Sequence, residues 1–298
     1  MPRPRNGVQM RAAIPVWCAR AAWILLPLTA GAALGDAVSD WADATARTMV
    51  VLAWAAWTFG LLALLAPRPW GLTGLRIVAP ALVVGMIVGA PDATGVGRFG
   101  LPHALLAAFL VLGAPVAAAT ANALAYGDEV RHPLRIPAPL LLGPVPLAAI
   151  GVSIAVTTGP LLVAAGRTPV GFVASIIGGA VAVVLVRSLH ALSRRWFVLV
   201  PAGITFVDPL TLTEPTLVRH ADIVGVKQVP AGPPPGPALD LRLGTPWSAV
   251  AIGFTAPQPF TRRRGRDRAE VVEADAVVVS VVGARRLALG RRGRSGAA

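Results

Sequence analysis

Apolar residues fill this chain in long runs up to about residue 191 and then alternate with polar ones. A bilayer crossing needs about 20 mostly apolar residues, with a range of about 17–25. By that criterion the pattern predicts six spans, near 14–34, 48–66, 72–90, 101–126, 140–165 and 170–191. Pro27, Pro80, Pro115, Pro144 and Pro146 fall inside them. Proline is tolerated there when neighbouring helices satisfy the carbonyls it frees. Beyond Leu192 the pattern becomes that of strands. Arg195 to Val200 and Ile204 to Val207 flank a Pro201-Ala202-Gly203 turn and predict a hairpin. Leu217-Val218, Ile223 to Val226, Leu239 to Leu243, Ala249 to Phe254 and Ala276 to Val282 predict further short strands. Arg242 points outward in that reading.

Composition agrees. Of 298 residues, 55% are hydrophobic and 14% charged, with mean hydropathy +0.68. A soluble domain carries roughly 25% charged residues, so the apolar excess belongs against lipid. The expected architecture is an α-helical polytopic membrane bundle of about six spans followed by a C-terminal β-rich domain. Its parts are a basic tail at 1–13, the bundle at 14–192, the β-rich domain at 193–290 and a second basic tail at 291–298.

Arginine placement orients the bundle. Arg3, Arg5 and Arg11, then Arg68 and Arg76, Arg131 and Arg135, and Arg187, Arg194 and Arg195 mark one side. The opposite loops hold Arg47, Arg98 and Arg167, with Asp36, Asp40 and Asp43. Both termini are therefore expected in the cytoplasm, in a plasma membrane. Arg20, two turns into the first span, is expected to snorkel to the cytoplasmic interface. Ala30-Gly31-Ala32 also fits a signal-peptide cleavage site, the alternative reading of the first span.

The segments Arg194-Arg195-Trp196-Phe197-Val198-Leu199-Val200-Pro201-Ala202-Gly203-Ile204, Asp208-Pro209-Leu210 and Arg219-His220-Ala221-Asp222-Ile223 carry a resemblance. They are similar to the multi-pass membrane proteins of high-GC Gram-positive bacteria that end in a bacterial pleckstrin-homology-like domain. The resemblance implies a fold and a location, not an activity. It departs after Val282, where no long amphipathic closing helix follows.

Candidate chemistry is sparse. The chain lacks H-E-x-x-H, G-x-S-x-G, a Walker loop and a G-x-G-x-x-G following a strand. No catalytic residue, cofactor or metal site is assigned. His103, His132, His190 and His220 are scattered, and Cys18 is the sole cysteine. No acid lies deep in a span, which counts against a proton-coupled transporter. Thr120, Asn122, Thr157, Thr158 and Ser175 are expected to bond across helices or to line a small cavity. Gly85 and Gly89 form a G-x-x-x-G, read either as close packing within the bundle or as a dimer face.

The arginine clusters carry the functional expectation. Arg262, Arg263, Arg264, Arg266 and Arg268 form one, and Arg285 and Arg286 begin another. Near an anionic leaflet each is worth about 1 kcal/mol. They are either phospholipid contacts or a solvated, disordered basic loop and tail. Nucleic acid is disfavoured, because stacking aromatics are missing around them. The expectation is a non-enzymatic anchor presenting a lipid- or protein-binding domain, with homo-oligomers or a membrane partner as further options. The alternative is a small-solute transporter or channel with a regulatory cytoplasmic domain.

Overall fold

The computed structural model describes residues 6–91, 93–230, 232–234, 238–245, 249–265 and 268–282, with side chains from Ala13 onward. Two compact units divide the chain. One comprises the residues up to Thr120 together with Val145–His190, the other Ala121–Pro144 together with Ala191 onward.

The first unit is helical. Its elements are α1 (Asn6–Ala37), α2 (Asp43–Leu65), α3 (Pro69–Gly89), a 3-10 turn (Gly95–Phe99), α4 (Gly100–Val111), most of α5 (Ala114–Asn122), and nearly all of α7 (Pro144–Ala164) and α8 (Thr168–Ser193). Five of these helices are long and apolar enough to cross a membrane. A bent pair, Gly95–Val111 with Ala114–Asn122, makes six if it counts as one span; it breaks by 45°. Large apolar side chains such as Phe109, Phe172 and Ile176 stand exposed, which suits lipid rather than water.

Small residues set how closely the helices approach. A Cβ on Gly100 would lie 3.0 Å from Ala33 Cβ, and one on Gly97 would lie 3.1 Å from the Ala33 backbone, so α4 and its leading turn lie against α1. A Cβ on Gly159 would collide with Ser175, and one on Gly178 with the Ala155 carbonyl, which makes α7 and α8 a tight antiparallel hairpin. Gly85 and Gly89 meet open space instead. Among the described residues no neighbour lies within 4 Å of a Cβ added at either position, so this motif shows none of the close approach seen at Gly100 or Gly159.

Proline chemistry explains a second set of contacts. Pro27 inside α1 has no N–H, so the carbonyl of Trp23, one turn earlier, loses its helical partner. The indole Nε1 of Trp57 donates to that carbonyl at 2.8 Å, and Trp23 Nε1 donates to the Trp57 carbonyl at 2.9 Å. Trp23 is fully buried, and its ring occupies the space where Gly60 lacks a side chain. His103 Nε2 donates to the Ala22 carbonyl at 2.9 Å while its Nδ1 lies 2.7 Å from Thr29 Oγ1. Both ring nitrogens are thus engaged. Arg20 reaches the far end of the neighbouring helix. Its Nε and Nη2 donate to the Leu64 carbonyl at 3.1 and 2.9 Å, capping the end of α2 where a cation complements the helix dipole.

The hydroxyls expected to bond across helices bond their own helix instead. Thr120 donates to the Val116 carbonyl, Thr157 to Ser153, Thr158 to Ile154 and Ser175 to Gly171. In an apolar setting the carbonyl one turn back is the nearest acceptor.

The second unit is a pair of four-stranded sheets. Sheet one runs β1 (Val130–Pro133), β2 (Trp196–Val200), β3 (Gly203–Val207), β4 (Thr216–Arg219). Sheet two has the order β5 (Ile223–Val229), β7 (Ala249–Arg263), β8 (Ala269–Val279), β6 (Ala238–Asp240), with β6 parallel to β8. The predicted hairpin is β2–β3. The strand β1 differs from expectation: it comes from the loop before α6 (Ala138–Leu142), so the β unit is built from two separated chain segments. Pro133 sits on this edge strand, where the missing N–H disrupts no ladder.

Two seams join the sheets. At one, Leu134 bridges Val281, Arg135 N donates to Ser280 O, and Val282 N donates to Pro133 O. At the other, Leu212 bridges Arg262, Thr213 N donates to Thr261 O, and Arg263 N donates to Thr211 O. Phe197, Phe206, Phe260 and Phe254 form a continuous aromatic run through the shared core, with successive centroids 5.8, 5.9 and 6.0 Å apart.

Candidate interaction surface

The hairpin of β7 and β8 is longer than predicted. The expected strand ended at Phe254, and Pro257 and Pro259 follow it. The structure places them beside a register shift between Gly253 and Gln258, the kind of irregularity that tolerates proline. Pairing then continues from Gln258↔Ala274 to Arg263↔Ala269. The described arginines of the first cluster are therefore ordered at the end of a β-hairpin, not in a loose loop. Arg264 N donates to Arg268 O across the turn, and Gly265 has φ +80, which favours glycine.

Their partners differ. Arg264 pairs with Glu270 at 2.6 Å. Arg262, Arg263 and Arg268 hold no ion pair among the described residues, and Arg263 and Arg268 are exposed. Thr261 Oγ1 donates to Glu214, which fastens the hairpin flank to the Thr213–Glu214 segment. Arg266, Arg285 and Arg286 lie outside the described residues. The hairpin end thus carries three guanidinium groups without an ion pair among the described residues, an arrangement suited to phosphate or carboxylate oxygens.

The most elaborate polar site in the β unit is buried, and sequence reasoning missed it. Arg195 donates from Nε and Nη2 to the two oxygens of Asp208, both at 2.8 Å. Its Nη1 donates to the Arg135 carbonyl at 3.1 Å, and Nη2 also reaches the Leu241 carbonyl at 2.9 Å. Asp208 accepts the Leu210 amide in addition. Both side chains are almost wholly enclosed. Arg195 is therefore a core group of the β unit and not a surface cation. The available signal was Arg195 one residue before a strand and Asp208 one residue after its hairpin partner, which places the two side by side. Arg242 is likewise buried and not outward-facing. It pairs with Asp240 and donates to the Gly232 carbonyl, as the chain turns back through Leu243 at φ +53.

His132 of β1 is half-buried opposite Phe197, and burial holds its pKa below the usual value near 6.5. The folded state favours the neutral ring, so stability should be full above about pH 6.5 and fall as pH drops below it, where the unfolded chain takes up the proton. Acid unfolding of the β unit, compared with His132→Gln, checks this; the variant should lose that part of the pH dependence.

No group of three His, Cys, Asp or Glu side chains able to hold a metal occurs among the described residues. In comparison with known proteins, no family model, no curated protein and no solved structure matches this chain.

Proposed function

We propose that the chain is a non-enzymatic plasma-membrane protein whose six spans anchor a pleckstrin-homology-like β domain against the cytoplasmic leaflet, where it reads anionic phospholipid. The observation that carries this reading is the hairpin end with Arg262, Arg263 and Arg268 unpaired among the described residues. Short linkers support it. Two residues separate α8 from β2, and seven separate α5 from β1. Two four-stranded sheets sharing one core agree with the resemblance.

Helix contacts support six crossings. Trp70 at the start of α3 stacks on His190 near the end of α8, with centroids 3.5 Å apart, and Thr73 Oγ1 lies 3.0 Å from His190 Nδ1. The start of α3 and the end of α8 then share a membrane face. If α3, α7 and α8 each cross once, a crossing between Gly89 and Pro144 follows, and the bent pair is the segment suited to make it. The arginine-rich loops support a cytoplasmic side for both termini.

The test uses the full chain in nanodiscs of neutral or of anionic lipid. Hydrogen exchange across residues 259–272 should be slower in the anionic discs, and high salt should remove the difference, since screening at 1 M shortens the Debye length to about 3 Å. Equal exchange in both lipids would refute lipid reading.

A transporter or channel is the second reading. The break between α4 and α5 favours it, because discontinuous spans form the binding sites of many transporters. Solute flux in proteoliposomes decides between the two.

A further inference from the structure

The arginines at the end of the β7–β8 hairpin divide between its two faces. Side chains alternate along a strand, and residues directly opposite one another in a ladder share a face. The register pairs Phe260 with Val272, Arg262 with Glu270 and Arg263 with Ala269. The Arg264 amide donates to Arg268 O, which continues the same register to the turn. Arg262, Arg264, Arg268 and Glu270 therefore stand on the face that carries Phe260. Arg263 stands on the opposite face with Thr261, Ala269 and Val271.

On the first face the four groups mark the corners of a rectangle. Side chains directly opposite in a ladder start about 5 Å apart, and same-face neighbours along a strand about 7 Å. Glu270 pairs with Arg264 across one diagonal at 2.6 Å. Arg262 and Arg268 occupy the other diagonal, and neither holds an ion pair among the described residues. Arg264, Arg268 and Glu270 are exposed. Arg262 is half-buried, bridged on the other edge of β7 to the buried Leu212. Three guanidinium groups less one carboxylate leave two positive charges on this face among the described residues.

Glu270 has two effects. It offsets the repulsion that like charges on facing strands would otherwise suffer. It also occupies Arg264, so an incoming anion meets Arg262 and Arg268 first, from opposite corners. A phosphomonoester fits this arrangement. It carries a charge of about −1.5 to −2 at pH 7 and three terminal oxygens. Two planar guanidinium forks, each taking oxygens in pairs, match that group. A phosphodiester offers a single charge and two free oxygens, and satisfies the same corners less completely.

We infer that the Arg262–Arg268 diagonal is a phosphomonoester site, that its occupant is the headgroup of an anionic lipid such as phosphatidic acid, and that Glu270 tunes it by holding Arg264. This site rests on the lipid-reading function proposed above and gives it a ligand class. Arg263, on the opposite face, takes no part in it.

The test uses the full chain in neutral nanodiscs doped with phosphatidic acid or with phosphatidylglycerol, and in undoped discs with inorganic phosphate. Hydrogen exchange across residues 259–272 is the readout, each variant being compared with itself in undoped discs. Phosphatidic acid should reach half of its effect at a mole fraction about threefold or more below that of phosphatidylglycerol, the gain expected from charge-assisted contacts at a solvent-screened site. Arg262→Gln and Arg268→Gln should each erase that preference. Arg263→Gln removes the same charge and should keep it. Glu270→Gln frees Arg264 and should lower the phosphatidic acid midpoint further. Arg268 is exposed, so its variant carries the test even where Arg262→Gln disturbs the Leu212 bridge. Equal midpoints for the two lipids, or an Arg263→Gln loss as large as that of Arg268→Gln, would overturn the inference and leave lipid reading standing. Slowing by inorganic phosphate alone would overturn the lipid headgroup as occupant. No slowing by either lipid would overturn the lipid reading itself.

Discussion

Replacing Asp208 with alanine is expected to destabilise the β unit by about 3–5 kcal/mol, the usual loss when one partner of a buried ion pair is removed. The guanidinium of Arg195 would remain enclosed with two carbonyls, Arg135 and Leu241, and no counter-charge. The loss should spread through the unit, because this one side chain touches β2, the β3–β4 connection, the segment after β1 and the end of β6. Hydrogen exchange of the Ile204 and Phe206 amides in the full-length protein reads the effect. Removing both charges together, as in Arg195→Met with Asp208→Leu, should restore much of the stability, since apolar replacement of a whole buried pair is often neutral or favourable. A loss as large in the double variant as in Asp208→Ala would mean that the pair matters for its hydrogen bonds to the backbone rather than for its charge balance.

Replacing Trp57 with phenylalanine should destabilise the helical unit by about 1–3 kcal/mol, because a carbonyl out of reach of water loses its donor. The carbonyl is that of Trp23, freed by Pro27. The account makes a sharper demand on the pair. In a Pro27→Ala background the residue-27 amide can return to the Trp23 carbonyl, so the Trp57→Phe loss should shrink. A double-mutant cycle in detergent unfolding should therefore give a coupling of about 1 kcal/mol or more. Equal losses in both backgrounds would show that Trp57 acts through packing alone.

Much of the fold was legible in the sequence because bilayer thickness and strand alternation each impose a period on the residues. The five long apolar helices and the β2–β3 hairpin follow from those periods. Three features had no such signal. The strand β1 is four residues long, contains a proline and derives its partner from chain about sixty residues away, so Val130–Pro133 reads as a basic loop. The second half of β7 hides behind Pro257 and Pro259, whose cost is absorbed at an irregularity that only pairing reveals. Arg195 and Asp208 look like surface charges, since burial depends on what folds over them. The same limit applies at the interaction surface. The sequence shows that arginines cluster from Arg262 onward. Which of them are spent on carboxylates, as Arg264 is on Glu270, depends on hairpin register.

Cysteine accessibility from the two faces of a sealed vesicle tests the central claim most directly, that the chain crosses six times and carries both segments of the β unit on one face. On a Cys18→Ser background, single cysteines at Arg68, Tyr126 and Glu214 should react with an impermeant thiol reagent from the same face, and those at Asp40 and Val96 from the other. Labelling of positions 68 and 126 from opposite faces would make the bent pair a re-entrant loop, leave five crossings and contradict the account.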